Sequence, residues 1–191
     1  MKNIKLSIIG CLESEAKAIL DVVSSLNEDS ERFVKKIAQC KGKIFFTGVG
    51  KSYIVASKIA ATFSSLGISS IAINPLFMLH GDLGQLSKDD FFVVISNSGE
   101  TDVLLDVINA IHKLGIIVLS ITGNRSSTIA KLSNEHIEIK VDEAGPFGIV
   151  PTSSTTAVMA MGDALACALC YMKSITIDDF KRFHPSGELS K

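Results

Sequence analysis

The sequence predicts an α/β protein: a three-layer αβα sandwich on a five-stranded parallel sheet, with extra helices at both termini. Two observations carry that expectation. Short apolar, β-rich runs alternate with helical patterns along most of the chain, the rhythm of parallel strands joined by crossover helices. The runs are also near-continuous in apolar character, as strands are when helices cover both faces.

The elements follow in order. Residues 14–40 read as two helices jointed near residues 27–30, with Ala16, Ile19, Leu20 and Val23 on one face and Phe33, Val34 and Ile37 on another. Residues 43–47 form the first strand, ending in Gly48 and Gly50, and residues 52–66 a helix. Further strands are expected at 69–74, 91–96, 116–121 and 137–141, with helices over 101–114 and around Ile129. A long helix over 154–172 and a short one from Thr176 close the chain. No repeat or linker divides its 191 residues, so they are read as one domain.

Composition narrows the classes. The chain is 47% apolar and 20% charged with a net charge of −1, so it has material for a core and no global attraction for nucleic acid. Mean hydropathy is +0.35, yet no run approaches the roughly 20 apolar residues of a membrane span. An apolar stretch at residues 6–12 runs into Glu13 and Glu15, which is not a secretory signal. Cys11, Cys40, Cys167 and Cys170 are the four cysteines. Cys167 and Cys170 sit in an Ala/Met/Leu-rich helical pattern and read as small buried side chains in a reducing compartment, the cytoplasm. Met159, Met161 and Met172 likewise read as core filling, not as a cofactor box.

In such folds ligands sit beyond the carboxyl ends of the strands, at helix N-termini. The first strand delivers Gly48-Val-Gly-Lys-Ser52 there. A Walker A loop would need a glycine where Phe45 stands, and a dinucleotide fingerprint one where Tyr53 stands. What is left is a glycine turn and a helix start, which bind an anion without a nucleotide fold. The third strand delivers Ser96-Asn-Ser-Gly-Glu-Thr101, rich in hydroxyl and amide groups. Ordinary N-capping accounts for one such residue. Ser52, Ser96, Ser98, Thr101 and residues 153–155, all expected on one rim, point instead to a phosphate cradle. Lys51, at the start of a helix, is misplaced against the helix dipole unless an anion is present.

These motifs, with Pro151-Thr-Ser-Ser-Thr155, His80-Gly-Asp-Leu-Gly84 and Phe183-His-Pro-Ser-Gly187, resemble the sugar isomerase (SIS) domain family, a flavodoxin-like αβα sandwich that binds phosphosugars. Within it they are similar to the D-arabinose-5-phosphate isomerases, over roughly residues 10–188. That resemblance implies interconversion of ribulose 5-phosphate and arabinose 5-phosphate, which supplies Kdo for lipopolysaccharide and capsules. It implies a phosphosugar substrate, no nucleic-acid or membrane partner, and a homotetramer with sites at subunit contacts. The two N-terminal helices are expected interface material.

Two departures from the family pattern stand out. Typical members continue into paired CBS domains, so a stand-alone SIS domain over residues 1–191 is expected here. The place of a family glutamate, four residues after Gly99, holds Val103, with Glu100 and Asp102 nearby.

The implied chemistry moves a proton between C1 and C2 through an enediol(ate), and so needs a base, an acid and oxyanion stabilisation. Histidine as a residue type suits proton transfer near neutral pH, which makes His80 and His184 candidates; Lys51 offers positive charge, and Glu100 is a further candidate. In isolation either histidine reads as structural; inside the motifs both become catalytic candidates. Asp82 ranks below them as a loop cap, and His112 and His136 read as surface or packing residues. Gly50, Ser52, Ser96, Asn97, Ser98, Thr101, Thr152, Ser153, Ser154 and Thr155 are the expected binding residues. The scheme requires neither cofactor nor metal. Because His184 follows the last helix, it is expected to reach a neighbouring subunit as readily as its own site. Rival readings are an isomerase for another phosphosugar and a non-catalytic sugar-phosphate sensor.

Overall fold

The computed structural model describes residues 3–186. Its elements are α1 (Ile4–Ser25), α2 (Glu28–Ile37), β1 (Ile44–Gly48), α3 (Lys51–Ser65), β2 (Ser70–Ala72), α4 (Pro75–Met78), β3 (Phe91–Ser96), α5 (Asp102–Lys113), β4 (Ile117–Thr122), α6 (Thr128–Leu132), β5 (Glu135–Glu138), α7 (Ser153–Met172) and α8 (Ile177–Arg182). The five strands are all parallel, in the order β2-β1-β3-β4-β5. The order reverses between β1 and β3, and a doubly wound sheet opens its binding crevice at that point.

Strand alternation divides the core in two. Ile44, Phe46, Val93, Ile95, Leu119 and Ile121 face α1, α2, α3 and α7. Phe45, Phe92, Val94 and Val118 face α4, α5 and α6. Both faces are therefore covered, which is why β1 and β3 are buried along their whole length. Gly162 lets α7 close on α3, since a Cβ there would run into the side chain of Ile59.

Several boundaries differ from expectation. α1 begins at Ile4, capped by Asn3, ten residues before its amphipathic stripe becomes readable. The α1–α2 joint is Leu26 and Asn27, where the Asn27 side chain caps α2. β5 starts at Glu135 because its pairing with β4 begins there (Leu119 opposite Glu135), two residues before the apolar signal. α7 is long and apolar enough to match a membrane span, contrary to the reading of the sequence; here Ala157, Met161, Leu165, Ala166 and Leu169 bury it in the core. The cysteines are not buried either: Cys167 is exposed and the other three are half-buried.

Candidate functional site

A cleft opens at the carboxyl ends of β1, β3 and β4, lined by Ser52, Val55, Ile95, Asn97, Ile121, Thr122, Gly123, Ser154, Thr155 and Val158. It lies at the reversal of strand order, and four of the expected residues (Ser52, Asn97, Ser154 and Thr155) meet on it. Three helices begin around it, and they differ in how their first amides are satisfied.

Gly50 turns the chain into α3 with a φ of 60°, a conformation glycine adopts without strain. Among the described residues no side chain caps the start of α3, or that of α5 at Thr101. Exposed Lys51 is the first residue of α3, so its ammonium stands at the positive end of a helix whose amides lack a side-chain acceptor. α7 is the opposite case. The Glu143 carboxylate accepts from the Thr152 amide at 2.8 Å and the Ser154 amide at 3.2 Å, and from both their hydroxyls. Burial alone would raise the Glu143 carboxyl, but those bonds, led by the Ser154 hydroxyl, hold it below the usual carboxylate value. The start of α7 thus already carries an internal anion.

The serine turn is held by its own hydroxyls. Ser96 Oγ is buried, accepts from the Gly99 amide at 3.1 Å and shares a 3.0 Å hydrogen bond with Thr101 Oγ1. Ser98 Oγ accepts from the Glu100 amide at 3.2 Å. Gly99 has a φ of 69°, and a Cβ there would collide with Ser127 Oγ, so the turn rests directly on the start of α6. Ser96 and Thr101 therefore shape the turn, while the exposed side chain of Asn97 reaches the cleft lining. In the third expected group, Ser153 Oγ accepts from the Ala144 amide and Thr152 Oγ1 from the Gly145 amide, tying both to the preceding loop.

The catalytic candidates are scattered. Glu100 turns away to accept from the Thr128 amide at 2.8 Å, which holds its carboxyl low and makes it an end contact for α6. Val103, at the place of the family glutamate, packs against the α5 side of the core. His80 is exposed in the turn after α4, on the carboxyl side of β2. His184 is at the other end of the molecule. Its Nδ1 lies 2.9 Å from the Phe180 carbonyl, its ring stacks on Phe180 with centroids 4.0 Å apart, and the neighbouring Phe183 covers Gly67. Phe183 shares a hollow with Gly42, Ile44 and Ser69, at the amino edge of the sheet. Within one chain, His184 and the cleft are separated by the length of β1, five residues or about 15 Å. Gly187, the last residue of its motif, lies outside the described residues.

No sequence motif singles out Glu143. It sits nine to eleven positions before the groups it binds, and no local spacing announces such a pairing. Among the described residues no three His, Cys, Asp or Glu side chains gather as a metal site requires.

A family profile described as "SIS domain" matches residues 36–168. The chain is 39% identical over 181 residues to the arabinose 5-phosphate isomerase KdsD of Salmonella typhi, covering 94% of this chain and 55% of that one. It is 36% identical over 187 residues to the arabinose 5-phosphate isomerase KpsF of Escherichia coli O6:H1, covering 97% and 57%. The chain thus spans about half the length of the curated relatives it matches. An Escherichia coli CFT073 protein solved in complex with arabinose 5-phosphate superposes with a TM-score of 0.92 at 39% identity, covering 97% of this chain and 100% of that one.

Proposed function

Starting from the fact that the chain belongs to the SIS domain family, we propose that it is an aldose–ketose isomerase interconverting D-arabinose 5-phosphate and D-ribulose 5-phosphate. The observation that carries this reading is the likeness, over essentially the whole of both chains, to a structure holding arabinose 5-phosphate. The cleft supports it chemically. A phosphate monoester needs donors that no other anion already occupies, and the starts of α3 and α5 carry no side-chain cap, while that of α7 is taken by Glu143. Ser52, Asn97, Ser98 and the amides of those two helix starts would hold the phosphate. Thr152, Ser153, Ser154 and Thr155 would form the wall opposite.

The reaction removes the C2 proton of the open-chain aldose, leaving an enediolate across C1 and C2. The proton returns at C1 while another passes between O2 and O1. Lys51 would stabilise the developing oxyanion. Glu100 turns away from the cleft to Thr128, whereas Glu143 is bonded to Ser154 of the cleft wall, so Glu143 is the carboxylate we assign to the proton transfers. His80 and His184 would supply the remaining acid–base steps. Since His184 stands at the far edge of its own sheet, it would serve the cleft of a neighbouring subunit. The exposed Ile4, Leu6, Ile8, Leu12, Leu20 and Val23 of α1 offer an apolar face for such association, read as a homotetramer. The product would feed Kdo synthesis for lipopolysaccharide or capsule in the cytoplasm, a setting in keeping with four unpaired cysteines.

The test is isomerisation of ribulose 5-phosphate by purified, EDTA-treated protein, with His80→Ala and His184→Ala alongside. Arabinose 5-phosphate appearing with the wild type and collapsing in both variants is the expected result. Tight binding of the sugar phosphate without turnover would replace the isomerase with a sensor.

A further inference from the structure

His136 has no place in the scheme above and does not line the cleft, yet it completes the hydrogen bonding of a residue that does. Thr122, the last residue of β4, is buried, and its hydroxyl makes three contacts. Oγ1 lies 2.9 Å from the Asn124 carbonyl, 3.2 Å from the Asn124 amide and 2.9 Å from His136 Nε2. A hydroxyl has one proton and two lone pairs. Its proton goes to the carbonyl and one lone pair accepts from the Asn124 amide, so the other must accept from the imidazole. The tautomer follows: His136 carries its proton on Nε2. Burial pushes the imidazole pKa down, with Glu138 raising it, Arg125 lowering it and Asp29 raising it, so the ring is neutral near pH 7.

The closed Thr122–Asn124 turn carries Gly123, whose amide donates to the Asn97 carbonyl at 2.9 Å. The approach is too close for any side chain, since a Cβ on Gly123 would come within 2.6 Å of Asn97 Oδ1. The Thr122 carbonyl in turn accepts from the Ile139 amide at 2.7 Å, locking the same turn to the end of β5. Asn97, the amide of the serine turn that reaches the cleft, therefore stands on a backbone bond whose donor is held by Thr122 and, through it, by His136.

We infer that His136 is a positioning residue: by donating Nε2–H to Thr122 it holds the Gly123–Asn97 contact that sets the cleft floor. It touches no ligand. Its loss leaves a buried lone pair unfilled and frees the turn, so the first quantity to change is affinity for the phosphosugar.

Three variants test this. His136→Leu keeps bulk and removes the donor, His136→Gln keeps an N–H at similar reach, and Thr122→Val removes the acceptor. Two readouts apply: hydrogen exchange at the Gly123 amide, which needs no assumption about the reaction, and KM against kcat for arabinose 5-phosphate, which rests on the function proposed above. In His136→Leu the lost hydrogen bond predicts about five-fold faster exchange at Gly123 and about five-fold higher KM, with kcat nearly unchanged; in Thr122→Val the Gly123 exchange is the readout. His136→Gln should restore both, and His136→Leu should add nothing in a Thr122→Val background. Unchanged Gly123 exchange in His136→Leu overturns the inference. So does faster exchange spread evenly over the sheet with KM intact, since that is ordinary packing loss. If the wild type does not turn over arabinose 5-phosphate, the proposed function fails and Gly123 exchange alone decides the role of His136. If His136→Leu does not fold, His136→Gln and Thr122→Val carry the same comparison.

Discussion

Glu143 and Glu100 are two acceptor carboxylates with different dependents. Glu143 serves the wall of the cleft, through four donors from Thr152 and Ser154; Glu100 serves Thr128 at the start of α6. Glu143→Gln should therefore lower kcat by about 100-fold or more, the usual scale for losing an acid–base group, while Glu100→Gln should leave kcat/KM within error. Steady-state assays of the two variants side by side check this. Glu143 also carries a pH signature. Its folded pKa lies below the ordinary 4.5, so the unfolded chain binds more protons between the two values. Its contribution to stability is complete above about pH 5 and is lost as the pH falls through the folded value. Urea unfolding from pH 7 down to pH 3 should show the wild type and Glu143→Gln converging in acid.

The helices and strands themselves were legible to different degrees, for reasons particular residues make clear. β3 is read at residues 91–96 and found there, because its apolar run is buried without a break. β5 is displaced because it is an edge strand: Glu135, His136 and Glu138 pair with β4 yet keep partly exposed side chains, so only Ile137 and Ile139 speak for it. The first turns of α1 expose Ile4, Leu6, Ile8 and Leu12, and with no buried stripe there is no helical period to read. The motifs brought Ser52, Asn97, Ser154 and Thr155 to one cleft, whereas Glu143 and the His136–Thr122 bond are products of tertiary contact. The α3–α7 pair gives a prediction at this scale. Gly162→Ala gains helix propensity but drives a methyl into Ile59, and overpacking of that kind costs about 1–3 kcal/mol. In an Ile59→Ala background the same substitution should be neutral or stabilising. Denaturant melts of the four proteins in that cycle decide it.

In the whole molecule, the proposed chemistry is divided between two ends of the sheet. Lys51 stands beside the cleft, and His184 rests on Phe180 at the opposite edge. If neighbouring subunits complete each other, Lys51→Ala and His184→Ala should each be inactive alone. Mixed after partial unfolding and refolding, they should regain a fraction of wild-type activity, because some sites in the hybrid receive an intact residue of each kind. Activity staying at the single-variant level after hybrids are confirmed by native mass spectrometry would confine each site to one chain. The far-edge seat of His184 has a further consequence for how rate scales with amount. A catalyst whose parts lie on different chains has no working form when single: below the dissociation constant of the assembly, specific activity should decline on dilution. It should return on concentration without any change in the fold of each chain.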